Sequence, residues 1–355
     1  MQKVWRSFGC YGILFLYYQN WGYAMTTLKD IANATGYSLS TISYVLNGKK
    51  KVKPETYERI MEAVEKLNYH PNQLARALKM RKTCTIGVIV PDISNEFFPE
   101  ILKGIDLVAH QNGYNIFLCN TNNRSVLEKE CIDMLVSKDV DGIIFIGAAD
   151  SKVLQDSEIT VPIVLVDRKI GNAYTSIVTD NYRGGYMATK HLMNCGYKNI
   201  AFLGGDPTIP NFFERISGYK DALKERGIPC AEDNMVICEC SMAGGYHAVT
   251  QLFCQNQQPE AVFAASDIMA LGALRALRDK GLRVPEDVAL MGFDDIPLAS
   301  HTIPSLSTVS QPKFDMGKTA AEKLLQQILN KQNTVEHIVL QPMLMIRETT
   351  VRKGE

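Results

Sequence analysis

A segment near the amino end of the chain, Leu39 to Leu46, carries hydroxyl side chains at positions where a buried helix would carry Leu or Val. Hydroxyl groups both donate and accept hydrogen bonds, so a helix surface that presents them can bind the edges of DNA bases in the major groove. The candidate contacts are Ser40, Thr41, Ser43 and Tyr44, with Leu39 available for the methyl group of thymine. An ordinary helical hairpin with a polar outer face is the alternative.

Charged side chains that follow apolar runs form a second group of candidate binding residues. They are Asp92 after TIGVIVP, Asp167 and Arg168 after PIVLV, Asp267 after AVFAAS, and Asp294 after VALMGF. Carboxylates and guanidinium groups can hold sugar hydroxyls in paired hydrogen bonds, and an aromatic ring such as that of Phe98 can cover the apolar face of a sugar. Each of these carboxylates could instead cap a helix.

Helical spacing and capping signals place the hydroxyl-bearing segment among three short helices. Thr27 and Asp30 have the spacing of a capping box, which predicts a first helix over about 28–35. Gly36 permits a turn, and Ser38 can cap a second helix over 39–46. The side chains predicted to face inward are Ile42, Val45 and Leu46 in the second helix, and Tyr57, Ile60, Met61, Val64 and Leu67 in a third helix that begins at Pro54. This pattern predicts a helix-turn-helix unit, whose second helix enters the major groove of DNA.

Charge is distributed along the chain in the way that a DNA-binding head requires. The 355 residues have a formal net charge of zero, but residues 25–82 carry 11 basic side chains and 5 acidic ones. After Lys3 and Arg6 are counted, residues 83–355 must carry a net charge of −8. A basic head on an acidic body indicates that only the head, including its lysine loop at 49–53, contacts phosphate groups.

From Thr85 onward, apolar runs alternate with helical segments. The runs are TIGVIV, NIFLCN, GIIFIG, PIVLVD, NIAFLGG, AVFAAS and VALMGFDD, and the helical segments include 97–113 and 183–196. Continuous Val, Ile and Leu runs separated by helices predict parallel sheets that are covered on both faces. Ligands of such sheets bind beyond the carboxyl ends of the strands, which is where the charged residues described above are expected.

Composition and missing motifs narrow the class of protein. Nine cysteines without paired spacing predict reduced thiols in a cytoplasmic protein, with no metal site and no cofactor. An enzyme is not expected, because the sequence contains no GxxxxGK[ST], GxSxG or HExxH motif. Residues 1–24 match nothing that follows them, and we expect Met25 to be the natural start; a signal or anchor segment is the alternative.

The segments TLKDIANATGYSLSTISYVLNG and LNYHPNQLARALKMRKTCTIGVIVPDISNEFF resemble the LacI family of bacterial transcription regulators, and the resemblance extends from Thr26 to about Thr350. It implies that Pro71 to Met80 form a hinge helix that orders on operator DNA, with Leu78 pushed into the minor groove as an apolar wedge. A plain core role is the alternative for Leu78. The DNA-binding residues implied in this way are Thr27, Leu39, Ser40, Thr41, Ser43, Tyr44, Asn47, Asn72, Leu74, Ala75, Arg76 and Leu78.

For the body, the resemblance implies two similar subdomains, as in periplasmic sugar-binding proteins, between which the chain crosses three times. The expected domains are a helix-turn-helix head at 25–70, a hinge helix and linker at 71–83, and a two-lobed effector-binding and dimerisation domain at 84–350. The family's effector positions fall on Asp92, Phe98, Arg215 in ERISGY and Asp294, with Asp167 and Asp267 as helpers. Two departures from the family pattern bear on the ligand: Ser266 stands where Asn is common, and Glu96 where Pro is frequent.

Together these features predict a dimeric, sequence-specific repressor of carbohydrate-related genes whose operator affinity is set by a small sugar or sugar derivative. A dimer is expected because one reading helix contacts too few bases, whereas a two-fold pair reads a palindrome. An exported sugar-binding protein of the same body fold is the alternative, with residues 1–24 as its signal segment. Such a protein would have no use for the basic helix-turn-helix segment.

Overall fold

The computed structural model describes residues 26–46, 52–69, 82–147, 153–154, 159–254, 258–330 and 334–351. The chain divides into a small unit, residues 1–80, and a large unit, residues 81–355. The small unit holds the three predicted helices, and the large unit holds the predicted sheets.

The small unit contains α1 (Leu28–Thr35), α2 (Leu39–Leu46) and α3 (Pro54–Lys66). The predicted caps are confirmed. The Asp30 carboxylate accepts hydrogen bonds from the backbone N–H and the hydroxyl of Thr27 at 2.7 and 2.8 Å, and the Ser38 hydroxyl accepts one from Thr41 N–H at 3.2 Å. Gly36 makes the turn between α1 and α2 at a φ of 76°, which side chains rarely allow. The helices close on a core of Ile31, Ile42, Val45 and Ile60.

One part of the predicted core is wrong. Tyr57 and Met61 of α3 are predicted to face inward, but they are 49% and 37% exposed. Ile60 and Ala63 are the buried residues of this helix. In a unit of three short helices, α3 buries only a narrow stripe, and the adjacent apolar positions remain at the surface.

The large unit contains two sheets. The first is built from β1 (Thr85–Val90), β2 (Asn115–Asn120), β3 (Gly142–Ile146), β4 (Ile163–Val166), β5 (Thr175–Thr179) and β11 (His337–Leu340), and the second from β6 (Ile200–Gly204), β7 (Met235–Ile237), β8 (Ala261–Ala264), β9 (Ala289–Asp294), β10 (Ser307–Ser310) and β12 (Met343–Met345). The strand orders are β11, β5, β4, β3, β1, β2 and β12, β10, β9, β8, β6, β7. The described pairings are parallel apart from the pairing of β10 with the edge strand β12, which is antiparallel.

All seven predicted apolar runs form strands, whereas β5, β7, β10, β11 and β12 were not predicted. β5 and β10 are rich in Ser and Thr and therefore lack an apolar run. β7, β11 and β12 are apolar, but at three or four residues they are too short for the pattern to stand out. The helices that cover the sheets are α4 (Phe97–Gln111), α5 (Ser125–Ser137), α6 (Asn181–Asn194), α7 (Pro210–Glu225), α8 (Met242–Cys254), α9 (Asp267–Asp279) and α10 (Lys313–Asn330).

The chain passes between the two lobes three times, as the family resemblance implies. The first lobe is the first sheet with α4, α5 and α10, and the second lobe is the second sheet with α6 to α9. The chain leaves the first lobe between β5 and α6, returns between β10 and α10, and leaves again between β11 and β12. Each lobe is therefore assembled from separate stretches of sequence.

Glycines allow three pairs of helices to pack at close range. α4 packs on α10, α6 on α7, and α8 on α9, and each helix carries a glycine against a backbone carbonyl of its partner. A Cβ atom at any of these glycines would overlap that carbonyl oxygen; the pairs are Gly104 and Gly317, Gly185 and Gly218, and Gly245 and Gly272. In the second pair, Gly185 of α6 lies against the backbone of Arg215, so this contact fixes the position of Arg215.

Candidate functional sites

The predicted base contacts of α2 lie on the side of the helix away from the core. Ile42 and Val45 are its buried residues. Leu39, Ser40 and Tyr44 are exposed, and Thr41 and Ser43 are half-buried. The Ser38 hydroxyl lies 2.8 Å from that of Ser40 and 2.9 Å from that of Thr41. The first turn of α2 therefore presents a fixed group of hydroxyls.

Of the other predicted DNA contacts, only Thr27 lies among the described residues. Thr27 is exposed at the start of α1. Asn47, Asn72, Leu74, Ala75, Arg76 and Leu78 lie outside the described residues. Their roles, including that of Leu78 as a wedge, stay predictions.

The buried side chain of Arg215, on α7, is the centre of the second site. Its Nε donates to Asn181 Oδ1 at 2.8 Å, and its Nη1 donates to the carbonyl oxygen of Ala265 at 2.5 Å. Nη1 also lies 3.7 Å from Asp294 Oδ1, and the guanidinium carbon lies 3.7 Å from the centre of the Phe293 ring. These contacts hold the guanidinium at the carboxyl ends of β8 and β9, and Asp294 compensates its charge.

Asp294, the last residue of β9, is held in an unusual backbone conformation, with a φ of 117°. Its Oδ1 accepts a hydrogen bond from Gln311 Nε2 at 2.7 Å. Lys313 Nζ donates to the backbone carbonyl oxygens of Asp294 and Asp295. Burial raises the pKa of Asp294, and the charge of Arg215 opposes the increase. Strained residues that the surrounding structure holds in place are concentrated at functional sites.

Asp167 approaches the same charges from the first lobe, at the end of β4, with a φ of 62°. Burial raises the pKa of its carboxyl group to about 7, with Arg215 acting against the increase and Asp294 adding to it. Its Oδ1 is buried and has no hydrogen-bond partner among the described residues. A buried polar atom without a partner costs free energy, so this oxygen is a natural contact for a ligand.

Asp267 is fully buried, and protein groups occupy both of its oxygens. Oδ1 accepts from the Thr308 hydroxyl at 2.6 Å, and Oδ2 accepts from Ile296 N–H at 2.9 Å. The carboxylate thereby connects the start of α9 with β10 and with the segment after β9. The helix cap is Ser266, whose hydroxyl accepts from Met269 N–H at 3.4 Å. These contacts give Asp267 a structural role, while its role as a ligand helper stays a prediction.

The remaining predicted ligand residues lie in the first lobe. Asp92 Oδ1 accepts hydrogen bonds from the backbone N–H and the hydroxyl of Ser94, at 2.9 and 2.8 Å, in a turn before α4. Phe98 is half-buried in the first turn of α4, with its ring 5.2 Å from that of Phe97 and nearly perpendicular to it. Arg168 is half-buried beside Asp167. Asp92 thus has a local structural use besides the predicted one.

Two hydrogen bonds join the lobes near these residues. Asn211 Nδ2 of α7 donates to the backbone carbonyl of Asp167 at 2.6 Å. Leu298 N–H, beyond β9, donates to Glu96 Oε2, beyond β1, at 2.9 Å. The residues Asp167, Arg215 and Asp294 therefore face a cleft between the lobes that is bridged at two places.

Four polar residues around the cleft were missed by sequence reasoning: Asn181, Asn211, Gln311 and Lys313. Gln311 and Lys313 follow β10, whose sequence STVS does not have the pattern of a buried strand. Had β10 been predicted, its position before QPK would have marked Gln311 as a further polar residue at a strand end. Asn181 is the first residue of α6 and Asn211 the second of α7, and no local signal separates them from ordinary surface amides.

Within the described ranges, no helix is long and apolar enough to cross a membrane. The same ranges contain no group of three or more His, Cys, Asp or Glu side chains that could hold a metal ion.

A helix-turn-helix head joined to two binding-protein-like lobes defines a ligand-responsive DNA-binding regulator, and comparison with known families agrees. Residues 27–72 match the model of the bacterial regulatory proteins of the lacI family. Residues 83–349 match the model of the periplasmic binding proteins and sugar binding domain of the LacI family. The chain belongs to the LacI family.

Individual relatives agree with this assignment. The ribose operon repressor of Haemophilus influenzae is 37% identical over 328 residues, which are 92% of this chain and 98% of that protein. The Lac repressor dimer bound to operator and the anti-inducer ONPF superposes with a TM-score of 0.83 at 28% identity, covering 92% of this chain and 99% of that one. A LacI family regulator from Enterococcus faecium with bound ribose has a TM-score of 0.68 at 31% identity, covering 75% of this chain and 98% of that one.

Proposed function

We propose that this protein is a dimeric repressor that binds a palindromic operator, and that a sugar-type effector in the cleft sets its operator affinity. The observation that carries the proposal is the presence, in one chain, of a helix-turn-helix with a hydroxyl-bearing outer face and a cleft built around Arg215 and Asp294. The names of the ribose operon repressor and of the operator-bound Lac repressor support the same function. The protein acts by binding and not by catalysis, in the cytoplasm, where its operator lies.

DNA recognition divides between two kinds of contact. The side chains on the outer surface of α2 contact base edges, while the basic side chains of the head contact phosphates. Phosphate contacts release counterions, so operator affinity falls steeply as salt is added.

The effector acts by a shift between two arrangements of the lobes. A ligand that contacts Asp167 in the first lobe and Arg215 and Asp294 in the second binds best at one angle between the lobes. That preference favours or disfavours the paired hinge helices, and therefore changes the affinity for the operator.

Exposed apolar side chains provide a surface for the second subunit. Phe117 and Leu118 are half-exposed on β2, which is the edge strand of the first sheet, and Ile303 of the second lobe is 95% exposed. Apolar side chains of this size on an edge strand invite association. We expect a second copy of the chain to cover them.

The decisive experiment combines operator selection with an Arg215 variant. Genomic fragments bound by the protein are selected and footprinted, and a panel of sugars is then tested for a change in operator affinity. Arg215→Ala is expected to keep operator binding and to lose the response to the active sugar, because the guanidinium is the central cation of the cleft.

Two controls separate loss of the ligand contact from loss of folding. Arg215→Lys keeps the charge but cannot bond Asn181 and Ala265 together, and it should also lose most of the response. The melting temperature of each variant shows whether the body has folded, since breaking a buried ion pair destabilises a protein. A folded Arg215→Ala protein that responds normally would refute the site, and recovery of no preferred DNA sequence with or without the sugars would refute the repressor.

A further inference from the structure

We infer that the effector is a neutral, polyhydroxylated molecule and not a phosphorylated or carboxylated sugar, an inference that rests on the proposed function. It follows from matching the hydrogen-bond donors, acceptors and charges of the cleft against those of a ligand.

Two buried oxygen atoms of the cleft have no partner among the described residues: Asp167 Oδ1 and Gln311 Oε1. Gln311 is 2% exposed, and its amide nitrogen donates to Asp294 Oδ1. That bond fixes the orientation of the amide and leaves its oxygen as an acceptor. Since one oxygen belongs to the first lobe and the other follows β10 of the second, a ligand that satisfied both would join the lobes.

A hydroxyl group is suited to both oxygens. Because burial raises the pKa of Asp167 to about 7, its carboxyl group is present in both protonation states near neutral pH. A hydroxyl can donate to the ionised oxygen or accept from the protonated one, whereas an ammonium can only donate and a phosphate dianion can only accept. Gln311 Oε1 requires a donor in either case.

The buried cations of the described cleft are already compensated. Arg215 faces Asp294 and bonds Asn181 and Ala265. Lys313 bonds the carbonyl oxygens of Asp294 and Asp295, and the carboxylates of Asp294, Asp295 and Asp267 act on its charge. Arg215 can still donate a hydrogen bond to a ligand oxygen through its Nη2 group. Its positive charge, however, is already balanced by Asp294. A ligand hydroxyl can accept that bond as readily as it donates to Asp167.

An anionic ligand would add charge to a region that already holds several carboxylates. Asp167, Asp267 and Asp294 interact so closely that Asp294 raises the pKa of each of the other two. Burying a phosphate beside them without a compensating cation would be costly. Arg168 is a further cation close enough to act on the Asp167 carboxyl group, and it also has an interaction of its own.

The test compares neutral sugars with their own phosphates on the full chain. Isothermal titration calorimetry at neutral pH measures the Kd of three pairs: ribose and ribose 5-phosphate, glucose and glucose 6-phosphate, and fructose and fructose 1-phosphate; cellobiose and ribitol are included as further neutral probes. At least one neutral probe is expected to bind, and to bind ~10-fold or more tightly than any phosphate.

A matched pair of variants tests the orphan oxygen. Gln311→Leu removes the acceptor and should weaken binding of that neutral probe ~10-fold or more. Gln251→Leu makes the same change at an exposed position of α8 and should have no effect. Melting temperatures show that both variants fold. Asp167→Leu removes the orphan oxygen of the first lobe, should weaken binding of the same probe, and is a second test should Gln311→Leu not fold.

The inference is overturned if any phosphate binds more tightly than its neutral partner, and loss of that affinity in Arg168→Ala would identify Arg168 as its contact. It is also overturned if no neutral probe binds. Operator selection with the same preparation separates the two failures. A protein that selects a palindromic DNA site but binds no neutral probe contradicts only the inference on the ligand, whereas one that selects no site contradicts the proposed function.

Discussion

At the scale of single residues, Asp167 combines a buried carboxyl group, a left-handed backbone and an oxygen without a described partner. The charges of Arg215 and Arg168 and the side chain of Asn211 favour its ionised form, but burial outweighs them and raises its pKa. Such a residue costs the folded protein free energy, and a ligand can recover part of the cost by bonding to it. This is the expected balance at a binding site, where stability and function compete.

We predict that Asp167→Asn makes the protein more stable relative to the wild type as the pH rises. The pKa of Asp167 is about 7 in the folded protein and 3.8 in the unfolded reference, so folding favours the protonated form. Its contribution to stability is fully present below about pH 4 and is lost as the pH rises to about 7. The substitution removes this loss, which is on the order of a few kcal/mol at neutral pH.

The measurement is the melting temperature of both proteins from about pH 5 to about pH 8, the range in which Asp167 of the folded protein loses its proton. The wild-type value should fall relative to that of the variant over this range. Asp106→Asn, at an exposed position of α4, is the control and should follow the wild type. Parallel curves for Asp167→Asn and the wild type would show that Asp167 is ionised throughout.

Sequence alone predicts these residues unequally. Asp167 and Asp294 are marked because each follows an apolar run, and the structure brings both to the side chain of Arg215. Gln311 and Asn181 were missed because an amide has no fixed signature: its role depends on which charged group the fold places beside it. The exact partners of Asp267, which occupy both its oxygens, likewise depend on loops that come together only in the folded lobe.

At the scale of elements, the glycine contacts between helices set the positions of the site residues. Gly185 and Gly218 bring α6 and α7 close enough for backbone contact, and Arg215 lies one turn before Gly218. The position of the guanidinium therefore depends on the close packing of α7 against α6. A small separation of these two helices would move the central cation of the cleft.

We predict that Gly218→Ala weakens both folding and ligand binding. The new methyl group would overlap the carbonyl oxygen of Tyr182, so α6 and α7 must separate. Overpacking of this kind costs roughly 1–3 kcal/mol of stability. Calorimetric melting and ligand titration measure the two effects, and Lys220→Ala, an exposed change on the same helix, should produce neither. A variant with wild-type affinity would mean that Arg215 is placed independently of this helix contact.

Elements with a strong local pattern were predicted well. α1 and α2 begin and end where their caps and apolar spacing indicate, and the long Val and Ile runs became buried strands. The short strands β5 and β10 form because their neighbours in the sheet offer hydrogen-bonding edges. Tyr57 and Met61 were predicted less well. Helical spacing identifies the apolar face of a helix, but not how much of that face the neighbouring helices will cover.

At the scale of the whole molecule, closure of the body depends on contacts between its lobes. The hydrogen bond from Leu298 N–H to the Glu96 carboxylate is one of them. The family resemblance implies that Pro is frequent at the position of Glu96. The side chain of proline has no group that could accept this bond. The chain therefore has a bridge across its cleft that depends on the identity of one surface residue.

We predict that Glu96→Ala weakens effector binding by about 3- to 10-fold, the range for one exposed hydrogen bond. Glu96→Gln keeps an oxygen that can accept from Leu298 N–H and should stay close to the wild type. Ligand titration measures the affinities, and small-angle X-ray scattering of the ligand-free proteins compares their mean compactness. If Glu96→Gln and Glu96→Ala were equally impaired, charge and not the hydrogen bond would be the cause.

The three crossings between the lobes also determine the order in which the protein can be completed during synthesis. The first five strands of the first sheet are made by Thr179, but α10 and β11, which cover and extend that sheet, are not finished until Leu340. At typical rates of translation the interval is on the order of 10–30 s, during which the strands of the first lobe lack part of their cover. The nascent chain must finish nearly all of its second lobe before the ribosome supplies the segment that closes the first.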